Sequence, residues 1–367
     1  MKKIMLVFGT RPEAVKMCPL VLELKKRKNI RTIVCVSGQH REMLAQVLDV
    51  FGIVPDYDLD IMKDRQDLFH ITEDVLEGIK AIAEEVRPDL VLVHGDTSTS
   101  FAAALACFYL RIPVGHVEAG LRTYHTDSPY PEEVNRQAID AIARYHFAPT
   151  ENAARNLRQE GKSPDRVFVT GNTGIDAFRY TVKSDYTHPE LDWAAGSRLI
   201  LITAHRREIT GEPMRRMFRA IRRVIENHPD LKAVYPVHPN PEIRQIAAEE
   251  LGGCDRIHLI EPLDPAAFHN FEARCFLCLT DSGGLQEELP FFGKPVLVLR
   301  DTTERPEGIT AGAARLVGTK ETDIVRTFTA IVDSPAEYTA FAKSRNLYGD
   351  GHASERIADI LLGAAST

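Results

Sequence analysis

The stretch from Phe276 to Gly308, FLCLTDSGGLQEELPFFGKPVLVLRDTTERPEG, decides the fold. An apolar run, Phe276 to Leu279, stops at Thr280-Asp281-Ser282-Gly283-Gly284. A helical pattern follows, and a second apolar run, Pro295 to Leu299, ends in the charged loop Arg300-Asp301-Thr302-Thr303-Glu304-Arg305. Strand, glycine turn, helix, strand and charged loop form the unit from which parallel sheets are wound, with polar residues at the carboxyl ends of the strands where such sheets bind ligands. Ser282, Gly283 and Gly284 open the helix, so their N–H groups lack acceptors within it and the helix dipole adds to their attraction for phosphate. Glu287 and Glu288, one turn on, are suited to accepting hydrogen bonds from vicinal hydroxyls. The bland alternative is a glycine-capped helix with a solvated acidic face.

Outward from this stretch the same alternation repeats. Strands are predicted at 3–8, 33–37, 88–96, 114–117, 146–148 and 167–170, then at 199–203, 232–237 and 257–260, with helices between most of them. The chain of 367 residues exceeds the size at which one core stops growing. The reading is therefore α/β, with two Rossmann-like doubly wound domains facing a central cleft: 1–172, 173–347, and a last segment 348–367 crossing back to the first. Residues 171–197 read as the connection, and Ser354 or Asp350 as the cap of the last helix.

Bulk properties remove several function classes. The formal net charge of -7 argues against non-specific nucleic-acid binding, which needs a basic footprint. No run approaches the roughly 18 apolar residues of a membrane helix, and MKKIMLVFGTRPEA reads as a first strand rather than a secretion signal. Six scattered cysteines predict reduced thiols and a cytoplasmic protein. Cys275 and Cys278 form a CxxC leading straight into a strand, which predicts core packing rather than zinc or redox work.

Chemistry gathers at the strand ends. Asp96 closes one strand, Glu118 follows the next, and Glu132 with Glu133 begins the helix after a proline-bounded loop; carboxylates sharing a crevice split into an acid and a base. Singly, Asp96 and Glu132 are equally helix-start residues. Arg11 and Lys16 after the first strand, His205-Arg206-Arg207 after LILIT, His238 after the 232–237 strand, and Arg305 supply the groups to clamp a diphosphate. His94 and His116 lack further ligands at metal-site spacing, so no metal is expected. GxGxxG and GxxxxGK[ST] are both absent, which argues against tightly held NAD and against nucleotide hydrolysis.

FGTRPEAVKMCPL at 8–20, VHGDTSTS at 93–100, GHVEAGLRT at 115–123, PEEVNR at 131–136, TGNTGIDA at 170–177, TAHRRE at 203–208, TDSGGLQEE at 280–288 and PVLVLRDTTERPEG at 295–308 closely resemble the non-hydrolysing UDP-N-acetylglucosamine 2-epimerases. The resemblance implies a glycosyltransferase-B type fold, a homodimer, and reversible cofactor-free conversion of UDP-N-acetylglucosamine to UDP-N-acetylmannosamine. It implies elimination of UDP to 2-acetamidoglucal and its return, with Asp96, Glu118 and Glu132 as essential acids and the individual base unassigned. His205 would meet the diphosphate. Arg11, Lys16, Arg206, His238, Arg305 and the N–H groups of Ser282, Gly283 and Gly284 would bind UDP, and Glu288 its ribose. Gln39, Glu42 and Arg65 match positions where some members hold an activating second substrate, although Glu42 replaces a glutamine. Ile209 and Gly174 depart from the usual asparagine and valine. The other readings carried are a hydrolysing epimerase releasing N-acetylmannosamine, a UDP-sugar glycosyltransferase, and a non-enzymatic binding module.

Overall fold

A computed structural model of the chain describes residues 1–38, 41–63, 66–206, 209–303, 305–342 and 347–363, without the side chains of 41 and 42. Two compact units result, one of Met1–Tyr180 with Tyr348–Thr367 and one of Thr181–Leu347.

The first unit contains β1 (Lys2–Phe8), β2 (Ile30–Val36), β3 (Tyr57–Asp58), β4 (Leu90–His94), β5 (Val114–Val117), β6 (Tyr145–Ala148) and β7 (Val167–Val169). All are parallel, in the order β3-β2-β1-β4-β5-β6-β7. A parallel sheet is covered by helices on both faces, so its central strands are apolar at successive positions. In β1, Ile4, Leu6 and Phe8 join one core while Met5 and Val7 join another, as alternation along a strand requires. Helix Arg11–Lys25 fills the first core with Met17, Leu20 and Leu24. Helices Leu68–Val86 and Ser98–Tyr109 fill the second.

The second unit repeats the plan with β8 (Arg198–Thr203), β9 (Leu231–Pro236), β10 (Ile257–Ile260), β11 (Leu277–Thr280), β12 (Val296–Val298) and β13 (Ala314–Leu316). Their order is β10-β9-β8-β11-β12-β13, again all parallel. Ile200 and Ile202 enter one core, Leu199 and Leu201 the other. Strand order therefore reverses between β1 and β4 in the first sheet and between β8 and β11 in the second. Those two points are where open parallel sheets leave a crevice at the strands' carboxyl ends.

Residues 171–197 carry three short helices, Thr173–Asp176, Phe178–Thr181 and Pro189–Trp193. Residues 173–180 go with the first unit, where Ala177 joins the core that Ile357, Ala358 and Leu361 of the last helix, Ala353–Gly363, also complete. That helix is not capped by Ser354 or Asp350. Its first N–H groups, on Ala353 and Ser354, donate to the carboxylate of Asp176 at 3.0 and 2.6 Å, while Asp350 pairs with Arg356 and accepts the N–H of His352, just before the helix, at 3.2 Å. All six cysteines are free thiols, and Cys275 and Cys278 are fully buried in core. Among the described residues no helix is long and apolar enough to cross a membrane.

Candidate active site

In the first unit the predicted acids and one predicted cation meet beyond β4 and β5. The turn after β1 is set by a capping box: Thr10 Oγ1 accepts from the Glu13 N–H, and Glu13 Oε2 accepts from the Thr10 and Gly9 N–H groups. Buried Glu13 also accepts from Thr97 Oγ1 at 2.7 Å and Ser100 Oγ at 2.9 Å. It thereby ties the turn after β1 to the turn after β4 that bears Asp96. Sequence reasoning passed over Glu13 as helix-start chemistry, and its TRPE spacing was the signal available. Arg11 opens the same helix, half-buried.

Asp96 pairs with Arg136 at 2.7 Å, and Asn135 donates to its carbonyl at 2.9 Å. Burial raises its pKa, Arg136 opposes that, and the charges of Glu118 and Glu132 add to the rise; the net direction is up. The side chain still keeps 28% exposure. Asp96 is thus a carboxyl reachable from outside but held near other acids, as a group that gives and takes a proton must be. Glu133 is structural instead: burial would raise it, but the N–H groups of Thr123 and Tyr124 and the Gln137 amide overcome that and leave it lowered.

Glu118 forms an ion pair with Lys16 and accepts from Asn172 Nδ2 at 2.9 Å. Its φ of 65° lies in the left-handed region, which costs a non-glycine residue on the order of 1–3 kcal/mol and is tolerated chiefly where a side chain must be aimed. A Cβ at Gly174 would lie 3.2 Å from Asn172 Oδ1 and at an ordinary contact distance, 3.4 Å, from the Lys16 stem. Glu132 is half-buried at the start of helix Glu132–Ile142.

His94, which closes β4, has its Nε2 3.7 Å from Glu118, buried and without a hydrogen-bond partner. Burial is the main cause of a pKa lowered to about 3, so this imidazole is neutral. His116 faces Asp140 with Nδ1 at 2.7 Å and the Gly95 carbonyl with Nε2 at 2.7 Å. Burial alone would raise the Asp140 pKa, yet His116, His146 and Arg122 hold it well below the usual carboxylate range. His116 and His146 are therefore occupied by hydrogen-bonding work, and among the described residues no cluster of metal-ligating side chains occurs.

In the second unit the predicted groups line the ends of β8, β9, β11 and β12. Fully buried Asp281 accepts from the His205 and Arg206 N–H groups at 2.6 and 2.8 Å, and its other oxygen lies 3.4 Å from His205 Nδ1. The carboxylate fixes the backbone at His205 and Arg206 and sets a negative charge beside the His205 ring without hydrogen-bonding to it. His238 stacks on His205 with ring centroids 5.4 Å apart. Arg305 lies against Gly283, and its Nε donates to buried Glu287 at 2.7 Å. Glu287 is thus committed to Arg305. The Ser282 N–H donates to Thr280 Oγ1 at 2.9 Å, so of the three N–H groups expected to meet an anion this one is engaged within the turn. Gln286 binds the Ser282 carbonyl and Thr303 Oγ1, joining the glycine turn to the loop after β12. Asp281 and Gln286 were missed because their roles depend on partners brought in by folding. Ile209 is core, which explains an apolar residue there. Gln39, Arg65 and Arg207 lie outside the described residues, as does the side chain of Glu42.

The sequence profile of the UDP-N-acetylglucosamine 2-epimerase family matches residues 22–362. The chain is 56% identical to the UDP-N-acetylglucosamine 2-epimerase of Bacillus subtilis over 98% of this chain and 95% of that protein. The crystal structure of the Neisseria meningitidis UDP-GlcNAc 2-epimerase bound to UDP-GlcNAc superposes with a TM-score of 0.90 at 46% identity, covering 98% of this chain and 100% of that one. The glycotransferase of kitacinnamycin, at 14% identity and a TM-score of 0.67 over 99% of this chain and 98% of its own, shares the fold alone.

Proposed function

The chain belongs to the UDP-N-acetylglucosamine 2-epimerase family, and on that premise we propose that it interconverts UDP-N-acetylglucosamine and UDP-N-acetylmannosamine by eliminating UDP and adding it back. The C2 proton of this sugar has no neighbouring carbonyl to acidify it, so direct deprotonation is costly. Coupling its removal to departure of a good leaving group at C1 avoids a free carbanion. A base takes the proton, the C2–H electron pair becomes the C1=C2 bond of 2-acetamidoglucal, and the C1–O pair leaves with UDP. In return, UDP oxygen re-forms the bond to C1 and a proton is delivered to the other face of C2. No electrons are gained or lost, and the reading needs no cofactor and no metal.

The observation that carries this reading is the acid cluster past β4 and β5. Asp96, Glu118 and Glu132 interact electrostatically, and Asp96 is shifted upward while Glu118 is paired with Lys16. Unequal carboxyls near one another provide both a proton acceptor and a proton donor. His205, whose backbone Asp281 holds, is our candidate for protonating or releasing the diphosphate oxygen. We read Lys16, Arg11, Arg206, His238, Arg305 and the Gly283 and Gly284 N–H groups as the groups that take the charge gathering on UDP. Glu288 takes the ribose hydroxyls. We place the protein, as a homodimer, in the cytoplasm, where six free thiols are stable.

The test is product analysis with the purified protein and UDP-N-acetylglucosamine alone. The reading expects a mixture of the two UDP-sugars, with 2-acetamidoglucal and UDP accumulating when Glu118→Gln or Asp96→Asn slows the return step. Free N-acetylmannosamine as the main product would replace it with hydrolysing chemistry.

A further inference from the structure

Helix Pro265–Arg274 carries a residue that neither core packing nor the chemistry above uses. Glu272 has no exposed surface, and its charge bears on the buried thiols of Cys275 and Cys278. Among the described residues no N–H or hydroxyl donor reaches either of its carboxyl oxygens. An ionised carboxylate left in that state is strongly disfavoured. Its hydrogen-bonding neighbour is another acid, Glu288, on the short helix after the glycine turn.

Two ionised carboxylates are both acceptors and cannot bond to each other, so one of the pair must carry a proton. Glu272 is the more deeply buried of the two, and Glu288 is half-buried. Burial, and then the Glu288 charge, push the Glu272 pKa well above the ordinary carboxyl range. Glu272 is the neutral partner and its O–H the donor. Glu288 then has one oxygen engaged from behind by the Glu272 O–H.

We propose that Glu272 is a positioning residue for nucleotide recognition, its neutral carboxyl donating to Glu288 and fixing that carboxylate in the orientation that accepts the ribose hydroxyls. The proposal rests on the reading of Glu288 as the ribose acceptor. Fixing a carboxylate before binding removes the cost of ordering it on binding, which is how a group that never touches ligand contributes to affinity.

The experiment compares UDP with 2′,3′-dideoxy-UDP by titration calorimetry in the wild type, Glu272→Gln and Glu272→Met. The ratio of the two affinities isolates the hydroxyl contribution. The wild type is expected to prefer UDP by at least about tenfold. Glu272→Gln keeps an N–H donor toward Glu288 and should retain that ratio. Glu272→Met fills the same space without a donor and should bring the ratio down by about tenfold, while dideoxy-UDP affinity stays as in the wild type. A structural role alone would move both affinities together and would leave the ratio intact, which overturns the proposal, as does an equal loss of the ratio in Gln and Met variants. No preference for UDP in the wild type instead removes the ribose reading of Glu288, and the proposal falls with it. A thermal melt of Glu272→Met, expected at or above the wild-type midpoint because an apolar side chain replaces a buried acid, shows that the variant is folded.

Discussion

Gly283→Ala places the sharpest demand on the account of the nucleotide-binding unit. A Cβ at this position would lie 2.4 Å from Arg305 Nη1 and 2.7 Å from Cζ. Non-bonded carbon and nitrogen rest near 3.5 Å, so the guanidinium must retreat by about 1 Å. Arg305 is held in place by its 2.7 Å bond to Glu287, which is only 3% exposed. A retreat of that size breaks the bond and leaves a buried carboxylate short of its partner. Full loss of such a pair costs roughly 3–5 kcal/mol. Alanine's better helix propensity returns up to about 1 kcal/mol, and a flexible side chain relaxes part of the strain. The net expectation is a loss of about 2 kcal/mol in urea unfolding. If Arg305 binds the diphosphate as proposed, displacing its guanidinium by about 1 Å lowers kcat/KM for UDP-N-acetylglucosamine by roughly 10²-fold, with weaker binding of UDP itself. Wild-type UDP affinity together with wild-type kcat/KM would refute the argument that Arg305 and the glycine turn form one binding element.

Three further outcomes are expected. Asp281→Asn leaves the fold intact but loosens His205, so kcat falls by about tenfold or more while KM changes little; steady-state kinetics in both reaction directions check it. His94 has a folded pKa lowered from 6.5 to about 3, so the unfolded chain binds the extra proton between those values and stability falls as pH falls through that window. His94→Asn should therefore flatten the pH dependence of the urea midpoint by up to about 1.4 kcal/mol per pH unit, and an unchanged slope would show that His94 is protonated in the fold. Asp176→Ala removes the acceptor for the Ala353 and Ser354 N–H groups and should cost about 1–2 kcal/mol, with the last helix becoming the first point of proteolytic attack.

Much of the architecture is legible because parallel strands buried on both faces announce themselves. LVLVH of β4 and RLILIT of β8 need no context to be read as strands. β3 and β13, with two and three residues, lie at sheet edges, where a strand needs little apolar length and leaves little trace. Helix Glu151–Gln159, ENAARNLRQ, buries only Ala153, Ala154 and Leu157, too small a stripe to separate it from loop. In the site, groups that sit where strands end are recoverable one by one, because topology fixes the place. Their partners are not. Asp281 reaches back 76 residues to His205, Asp176 forward 177 to Ala353, and the acid facing Glu288 lies on a preceding helix. A sequence gives no sign of a carboxylate's neighbour until the fold supplies it. The same holds for Glu118, whose left-handed backbone is invisible in the letters GHVEAG.

The measurement that bears most directly on the central claim is proton NMR of UDP-N-acetylglucosamine incubated with the wild-type protein in deuterated water, with no cofactor added. Elimination and return predict an equilibrium mixture of UDP-N-acetylglucosamine and UDP-N-acetylmannosamine carrying deuterium at C2. Epimerised product that retains its original C2 proton, or substrate that exchanges nothing while UDP is bound, would contradict it.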